Sequence, residues 1–160
     1  MRLGIDFGKV IIGPIVNGKA DTSFLGNSFK KAMQTPPSEN AFESVADLVG
    51  VFSGEVWIVS KCGQSVQNKT KAWLKQRDFY AATGFDKTKI RFCIKRPEKA
   101  SICKQLKITH FIDDRLDVLE PMRGIVNNLY LFGEQSCEIP SWVVPVPDWR
   151  STVATIKAGL

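Results

Sequence analysis

Short, mostly apolar runs alternate along the chain with segments whose apolar positions recur at helical spacing. Residues 3–7, 56–60, 90–93, 109–112 and 129–132 are runs rich in β-branched and aromatic side chains. Brief runs of this kind fit strands that are covered on both faces. Between them, Phe42, Val45, Ala46 and Val49 fall at i, i+3, i+4 and i+7 behind a Pro36-Pro37-Ser38 opening, which predicts a helix. Asn40 followed by Glu43 predicts a capping box at its start. Further helices are predicted over about 65–77 with Val66, Thr70, Trp73 and Leu74 inward, and over 97–106, 115–122 and 149–157.

Strand and helix in alternation imply right-handed crossovers and a parallel sheet, so the chain reads as one α/β domain over residues 1–160 with about five strands. One stretch departs from the alternation. Asn17-Gly18 lies between apolar runs in 9–24, which predicts a β-hairpin projecting after the first strand. Residues 26–37 read as loop with at most one helical turn, and 137–148 as a proline-rich apolar tail. That tail is expected to pack along the domain or to bury an interface in a homo-oligomer.

Composition narrows the class. With 160 residues, 44% hydrophobic and 24% charged, the chain is neither a disordered tail nor a collagenous or low-complexity segment. No apolar run approaches a membrane span, and MRLGIDFG enters a strand-like pattern without the apolar stretch of a secretory leader. The expectation is a cytoplasmic protein with no membrane partner. Cys62, Cys93, Cys103 and Cys137 are widely spaced with no C-x-x-C pair, which argues against a disulfide framework or a structural zinc site. Buried thiols are expected instead. The net charge of +6 is unevenly spread: residues 61–107 hold 13 basic and three acidic residues, or +10, against −4 elsewhere. A basic middle suits a polyanionic partner or a set of solvated helix faces, and both readings stay open.

The chemistry-bearing residues fall where a parallel sheet puts its ligands, at the carboxyl ends of strands. The first strand ends near Asp6, the second at Ser60-Lys61 and the fourth at Asp113-Asp114. Carboxylates gathered at one sheet edge repel one another unless a cation sits among them, and such a set makes an oxygen cage suited to Mg²⁺. A serine and a lysine beside the cage would hold phosphoryl oxygens.

In this order, IDFGKV from Ile5, IVSK from Ile58, Lys99 and FIDDRLD from Phe111 resemble the motifs of the haloacid dehalogenase-like (HAD) hydrolases. The resemblance spans residues 3 to about 132 and implies a three-layer Rossmann-like fold with the hairpin as a flap. It further implies a magnesium-dependent phosphohydrolase that works through an aspartyl-phosphate, with nucleotide or polynucleotide phosphate as candidate substrate. Asp6 would be the nucleophile and a metal ligand. The Gly8 carbonyl and Asp114 would bind metal, with Asp113 in support or through water. Ser60, Lys61 and Lys99 would hold the phosphoryl group, with Lys95 as the alternative to Lys99. The chain lengths between motifs leave no room for a cap domain, which implies an open site.

One position departs from the family pattern. Most phosphatases of the family carry a second Asp two residues after the nucleophile, which protonates the leaving group and activates water. Here that residue is Gly8, which cannot transfer a proton. Two other readings therefore stand beside the first: a non-catalytic phosphate- or nucleic-acid-binding module, and an RNase H-like nuclease, whose opening LGIDFGKVIIG also resembles. Arg115 divides between substrate contact and surface pairing, and Asp117 between supporting the site and stabilising a helix dipole. His110 lies on the wrong side of Asp113 for a base and reads as structural.

Overall fold

Six parallel strands form the centre of the computed structural model, which describes residues 1–13, 15–16, 19–20 and 28–160. In chain order they are β1 (Leu3–Ile5), β4 (Val56–Lys61), β5 (Ile90–Cys93), β6 (His110–Asp113), β7 (Asn128–Phe132) and β8 (Val144–Val146). Their order across the sheet is β5-β4-β1-β6-β7-β8. Strand β1 is central, with Ile5 level with Ile58 on one side and Ile112 on the other. The order reverses direction there, which leaves a crevice at the carboxyl ends of β1, β4 and β6.

Alternate residues of each strand enter two separate cores. Leu3, Ile5, Ile58, Ile112, Tyr130 and Phe132 face one layer. That layer is built on helices α1 (Phe29–Gln34), α2 (Ala41–Val51), α3 (Gln64–Gln76), α4 (Phe79–Thr83) and α7 (Trp149–Ala158). Val59, Phe111, Leu129 and Leu131 face the other, covered by α5 (Glu98–Leu106), α6 (Leu116–Leu119) and a 3₁₀ turn over Glu120–Met122. The result is the three-layer α/β architecture expected of short, doubly covered strands. Gly4 makes the second layer possible at the centre of the sheet. A Cβ there would lie 2.3 Å from Cδ2 of Phe111, so only glycine lets that ring lie flat on β1.

The parallel sheet is as expected, with a sixth strand where Val144–Val146 of the proline-rich tail pairs in parallel with β7. Pro145 is compatible with this because β8 is an edge strand, where a missing N–H leaves no neighbour unpaired. The capping box at α2 does not form. Asn40 takes a left-handed conformation (φ 58°) without a side-chain cap, and its Oδ1 accepts from Arg150 at 3.3 Å instead. The inward face of α2 is accordingly centred on Ala41, Ser44, Val45 and Leu48, with Phe42 and Val49 half-buried. Segment 26–37 contains a helix of six residues, α1, capped by Ser28 Oγ accepting from Lys31 N.

The hairpin appears as β2 (Ile15–Val16) antiparallel to β3 (Lys19–Ala20), with Val16 opposite Lys19. The Asn17-Gly18 step lies outside the described residues. All four cysteines are free, three of them buried and Cys137 exposed. Among the described residues, no helix is long and apolar enough to cross a membrane.

Candidate active site

A cavity of about 250 Å³ opens at the carboxyl ends of β1, β4 and β6. Each strand delivers its polar residue there by running one step past its apolar stretch. Asp6 N still donates to Ile112 O at 2.9 Å, so the β1–β6 ladder holds the backbone of Asp6 in place. The chain then turns sharply. Lys9 adopts φ 58°, and the amides of Ile11 and Ile12 both donate to Phe7 O. Ser60 is the buried penultimate residue of β4, and the exposed Lys61 ends the strand in the cavity wall. Asp113 closes β6, entirely buried, and Asp114 sits half-buried beside it.

Lys99 comes from the opposite layer, in the first turn of α5. Its phase is set by Glu98, whose Oε2 accepts from the amides of Ile94 and Lys95. This turns Lys95 out to solvent and directs Lys99 inward, where it is 2% exposed. Lys99 Nζ lies 2.7 Å from Asp6 Oδ1 and 2.8 Å from Asp113 Oδ2. Of the two lysines considered for this position, it is Lys99 that the fold brings to the carboxylates.

Charge in this site is finely balanced. Burial works against the Lys99 ammonium, but the carboxylates of Asp6 and Asp113 outweigh it and hold its pKa above the ordinary lysine value. Burial, then the charge of Asp6, push Asp113 well above the usual carboxylate range. The same two causes raise Asp114 to about 6. Asp6, Asp113 and Asp114 each offer a carboxylate oxygen, all within 4.8 Å of one another. Among the described residues, no cationic side chain forms an ion pair with Asp114, so Lys99 is the one ammonium in direct contact with this group of three carboxyl side chains. A hard divalent cation with oxygen preference fits that excess of negative charge.

The rest of the wall is cationic. Lys9, Lys61, Arg96 and Arg115 line the cavity. Arg115 is engaged with Asp117 through Nε and Nη2 at 2.8 and 2.9 Å while also lining the cavity. Asp117 also lies 3.6 Å from Arg96. Sequence reading did not single out Arg96 or Cys62. The signal for Arg96 was its place just before Pro97, where the chain leaves β5 for a helix on the site side. Cys62 carries no motif, and burial raises its thiol to about 11. Among the described residues, a Cβ added to Gly8 would meet nothing within 4 Å. His110 lies at the far end of β6, where its Nδ1 is 2.8 Å from Thr109 Oγ1.

No protein-family model matches the chain, and no curated protein sequence matches it. Solved structures do. A HAD-superfamily hydrolase from Ehrlichia chaffeensis superposes with a TM-score of 0.64 at 12% identity, over 98% of this chain and 96% of that one. A haloacid dehalogenase-like family hydrolase from Xanthomonas campestris gives 0.57 at 15% identity, over 78% of this chain. This chain spans 55% of the Xanthomonas protein's length. At such identities the likeness is one of architecture, and it agrees with the motif order along the chain. The protein has the haloacid dehalogenase-like fold.

Proposed function

We propose that this protein is a magnesium-dependent phosphohydrolase that forms an aspartyl-phosphate on Asp6. The observation that carries the reading is the position of Lys99, buried between Asp6 and Asp113 with Asp114 alongside. A buried lysine bridging two carboxylates costs desolvation energy that a purely structural role does not require. A site that must bind a phosphoryl dianion against a nucleophilic carboxylate does require that charge.

Lys99 holds Asp6 through Oδ1, and among the described residues nothing donates to Oδ2. That oxygen is the one to attack phosphorus. Ser60, Lys61 and Lys99 would orient the phosphoryl oxygens, with charge development carried by the two ammonium groups. Asp6, Asp114 and the Gly8 carbonyl would hold Mg²⁺, with Asp113 in support through water. The ion would supply electrostatic stabilisation of the transferring group. Water then cleaves the acyl-phosphate and restores the Asp6 carboxylate.

We take residues 1–160 as a single domain without a cap, so that the cavity meets solvent beside the basic 61–107 segment. That setting favours nucleotide or polynucleotide phosphate as substrate. Four free cysteines, three of them buried, suit a reducing, cytoplasmic setting. Gly8 favours one rival reading, a phosphate-binding module without turnover. The nuclease reading leaves the buried Lys99 unexplained.

The deciding experiment is Mg²⁺-dependent phosphate release from a panel of phosphate compounds by the wild type and Asp6→Asn. Release that disappears in the variant, with label from ³²P-substrate trapped on the wild type alone, supports the reading. Phosphate binding without release assigns the binding module instead.

A further inference from the structure

We infer that the site is selective for phosphoryl donors with acidic leaving groups, namely phosphoric anhydrides and acyl phosphates, over alkyl phosphomonoesters. This rests on the hydrolase reading above and adds to it the substrate class. An alkoxide is too basic to depart unprotonated, so a phosphatase acting on alkyl esters needs a group that delivers a proton to the bridging oxygen. Among the described residues of the cavity, no carboxyl or imidazole group is free for that role. Asp6 is the attacking residue. Asp113 accepts from Lys99 and from the Arg115 amide, and Asp114 faces the cation position. The only histidine is committed to Thr109 and Asn128 at the far end of β6.

Gly8 lines the cavity two residues past Asp6, where the resemblance to the HAD hydrolases implies a proton donor, and among the described residues nothing bars a side chain there. Among the described residues an added Cβ has no neighbour within 4 Å, and the Gly8 φ is not in the left-handed region, so the backbone does not demand glycine. No other described side chain has moved into that space to replace it. What the wall supplies instead is fixed positive charge, from Lys9, Lys61 and Arg96. Such charge stabilises a departing anion directly, and it favours leaving groups that carry several oxygens.

The balance closes without an acid. Asp6 Oδ2 bonds to phosphorus, the bond from phosphorus to the bridging oxygen breaks, and the electron pair leaves on a phosphate or carboxylate anion. Water next bonds to phosphorus and the Asp6–phosphorus bond breaks. The electron pair returns to the carboxylate, and the protons of water stay on inorganic phosphate or pass to solvent.

The test compares kcat/KM of the wild type on acetyl phosphate, pyrophosphate, 4-nitrophenyl phosphate, phenyl phosphate and glycerol phosphate, with Asp6→Asn as background. Activity should fall steeply as the leaving group becomes more basic. Gly8→Asp should flatten the series, raising the ratio of glycerol phosphate to acetyl phosphate turnover by about 10²-fold or more, the usual worth of a placed general acid. Asp6-dependent turnover that is equally fast on glycerol phosphate and acetyl phosphate in the wild type would overturn the inference and leave the hydrolase reading standing. An unchanged ratio in Gly8→Asp would also overturn it. No Asp6-dependent release from any of the five compounds would overturn both.

Discussion

The two ends of the same sheet each carry a three-membered charge network, one lysine between two acids at one end and one acid between two cations at the other, and the contacts are equally short. At the carboxyl end, Lys99 lies 2.7 and 2.8 Å from Asp6 and Asp113. At the amino end, Glu55 receives Lys89 at 2.6 Å and Arg2 at 2.9 Å. Distance does not separate them. Burial does: the Lys99 side chain is 3% exposed and that of Asp113 fully enclosed, whereas Glu55 and Arg2 are 36% and 41% exposed. In water-accessible surroundings the charges of such a network are screened, and its strength is small. In the interior each ion depends on its partners, since none can turn to solvent. The buried end thus concentrates energy on a few atoms, as the proposed phosphoryl chemistry requires, while the exposed end is surface pairing at the start of the strands.

The largest effect should come from breaking the buried network. Lys99→Met leaves Asp6 and Asp113 facing each other without compensation, and should cost about 3–5 kcal/mol of stability, the usual penalty for orphaning a buried charge. Urea denaturation would read it. The double variant Lys99→Met/Asp113→Asn should be less destabilised than the single, because one of the stranded charges is gone. If the single variant were as stable as the wild type, the two ends of the sheet would be energetically alike and the comparison would fail.

Next in size is metal addition. If the carboxylates hold Mg²⁺ in the folded state alone, saturating ion stabilises by mass action, about 2.7 kcal/mol at a hundred times the dissociation constant. The melting temperature of the wild type should rise with Mg²⁺. Asp114→Asn should abolish that rise, whereas Glu55→Gln should retain it. A rise that survives in Asp114→Asn would place the ion elsewhere.

Much of this site was legible in the sequence because each strand announces its own end. Asp6, Ser60 and Asp113-Asp114 all follow short apolar runs, and parallel pairing brings such ends together. What the sequence left open was helix phase. Lys95 and Lys99 are four residues apart and would share one helix face, but α5 begins only at Glu98. The choice falls to Glu98, whose side chain binds the amides of Ile94 and Lys95 and keeps Lys95 outside the helix. Strand β8 was hidden for a different reason: Pro145 argues against a strand in general, and only the strand's place at the sheet edge removes the objection. The motif at Asn40 misled because a capping box competes with tertiary partners, and Arg150 from α7 won. Gly4 gave no local signal at all, since the ring it accommodates is more than a hundred residues away.

A smaller effect distinguishes the ends by pH. Asn128 Nδ2 lies 3.1 Å from His110 Nε2 and donates to it, so the ring proton is on Nδ1 and is shared with Thr109 Oγ1, whose own hydrogen goes to Arg2 O. Burial, then the nearby N-terminal ammonium, lower the His110 pKa. Tyr130 stacks on the ring at 6.2 Å, and Phe52 meets it edge-on at 5.1 Å. The unfolded chain therefore takes up a proton near pH 6.5 that the folded chain refuses. Stability contributed by His110 is complete above that pH and declines as pH falls through and below it. His110→Asn, which cannot titrate, should flatten the stability profile between pH 7 and pH 5 relative to wild type. An unchanged profile would remove His110 from the account.

The smallest effect is expected at the exposed network, and its smallness is the point. Glu55 is held below its ordinary pKa first by the Lys89 hydrogen bond, yet it stands open to solvent. Glu55→Gln keeps the side-chain volume and a hydrogen-bond acceptor for Lys89 while removing the charge. Water solvates both Lys89 and Arg2 once Glu55 is neutral, so neither is stranded as Asp6 and Asp113 would be without Lys99. The melting temperature should stay close to that of the wild type, and any difference should vanish on raising the salt concentration, since screening already weakens the pairs it removes. A loss comparable to that of Lys99→Met, persisting at high salt, would mean that the amino end of the sheet depends on its charges as the carboxyl end does. Burial would then no longer be what sets the active end apart.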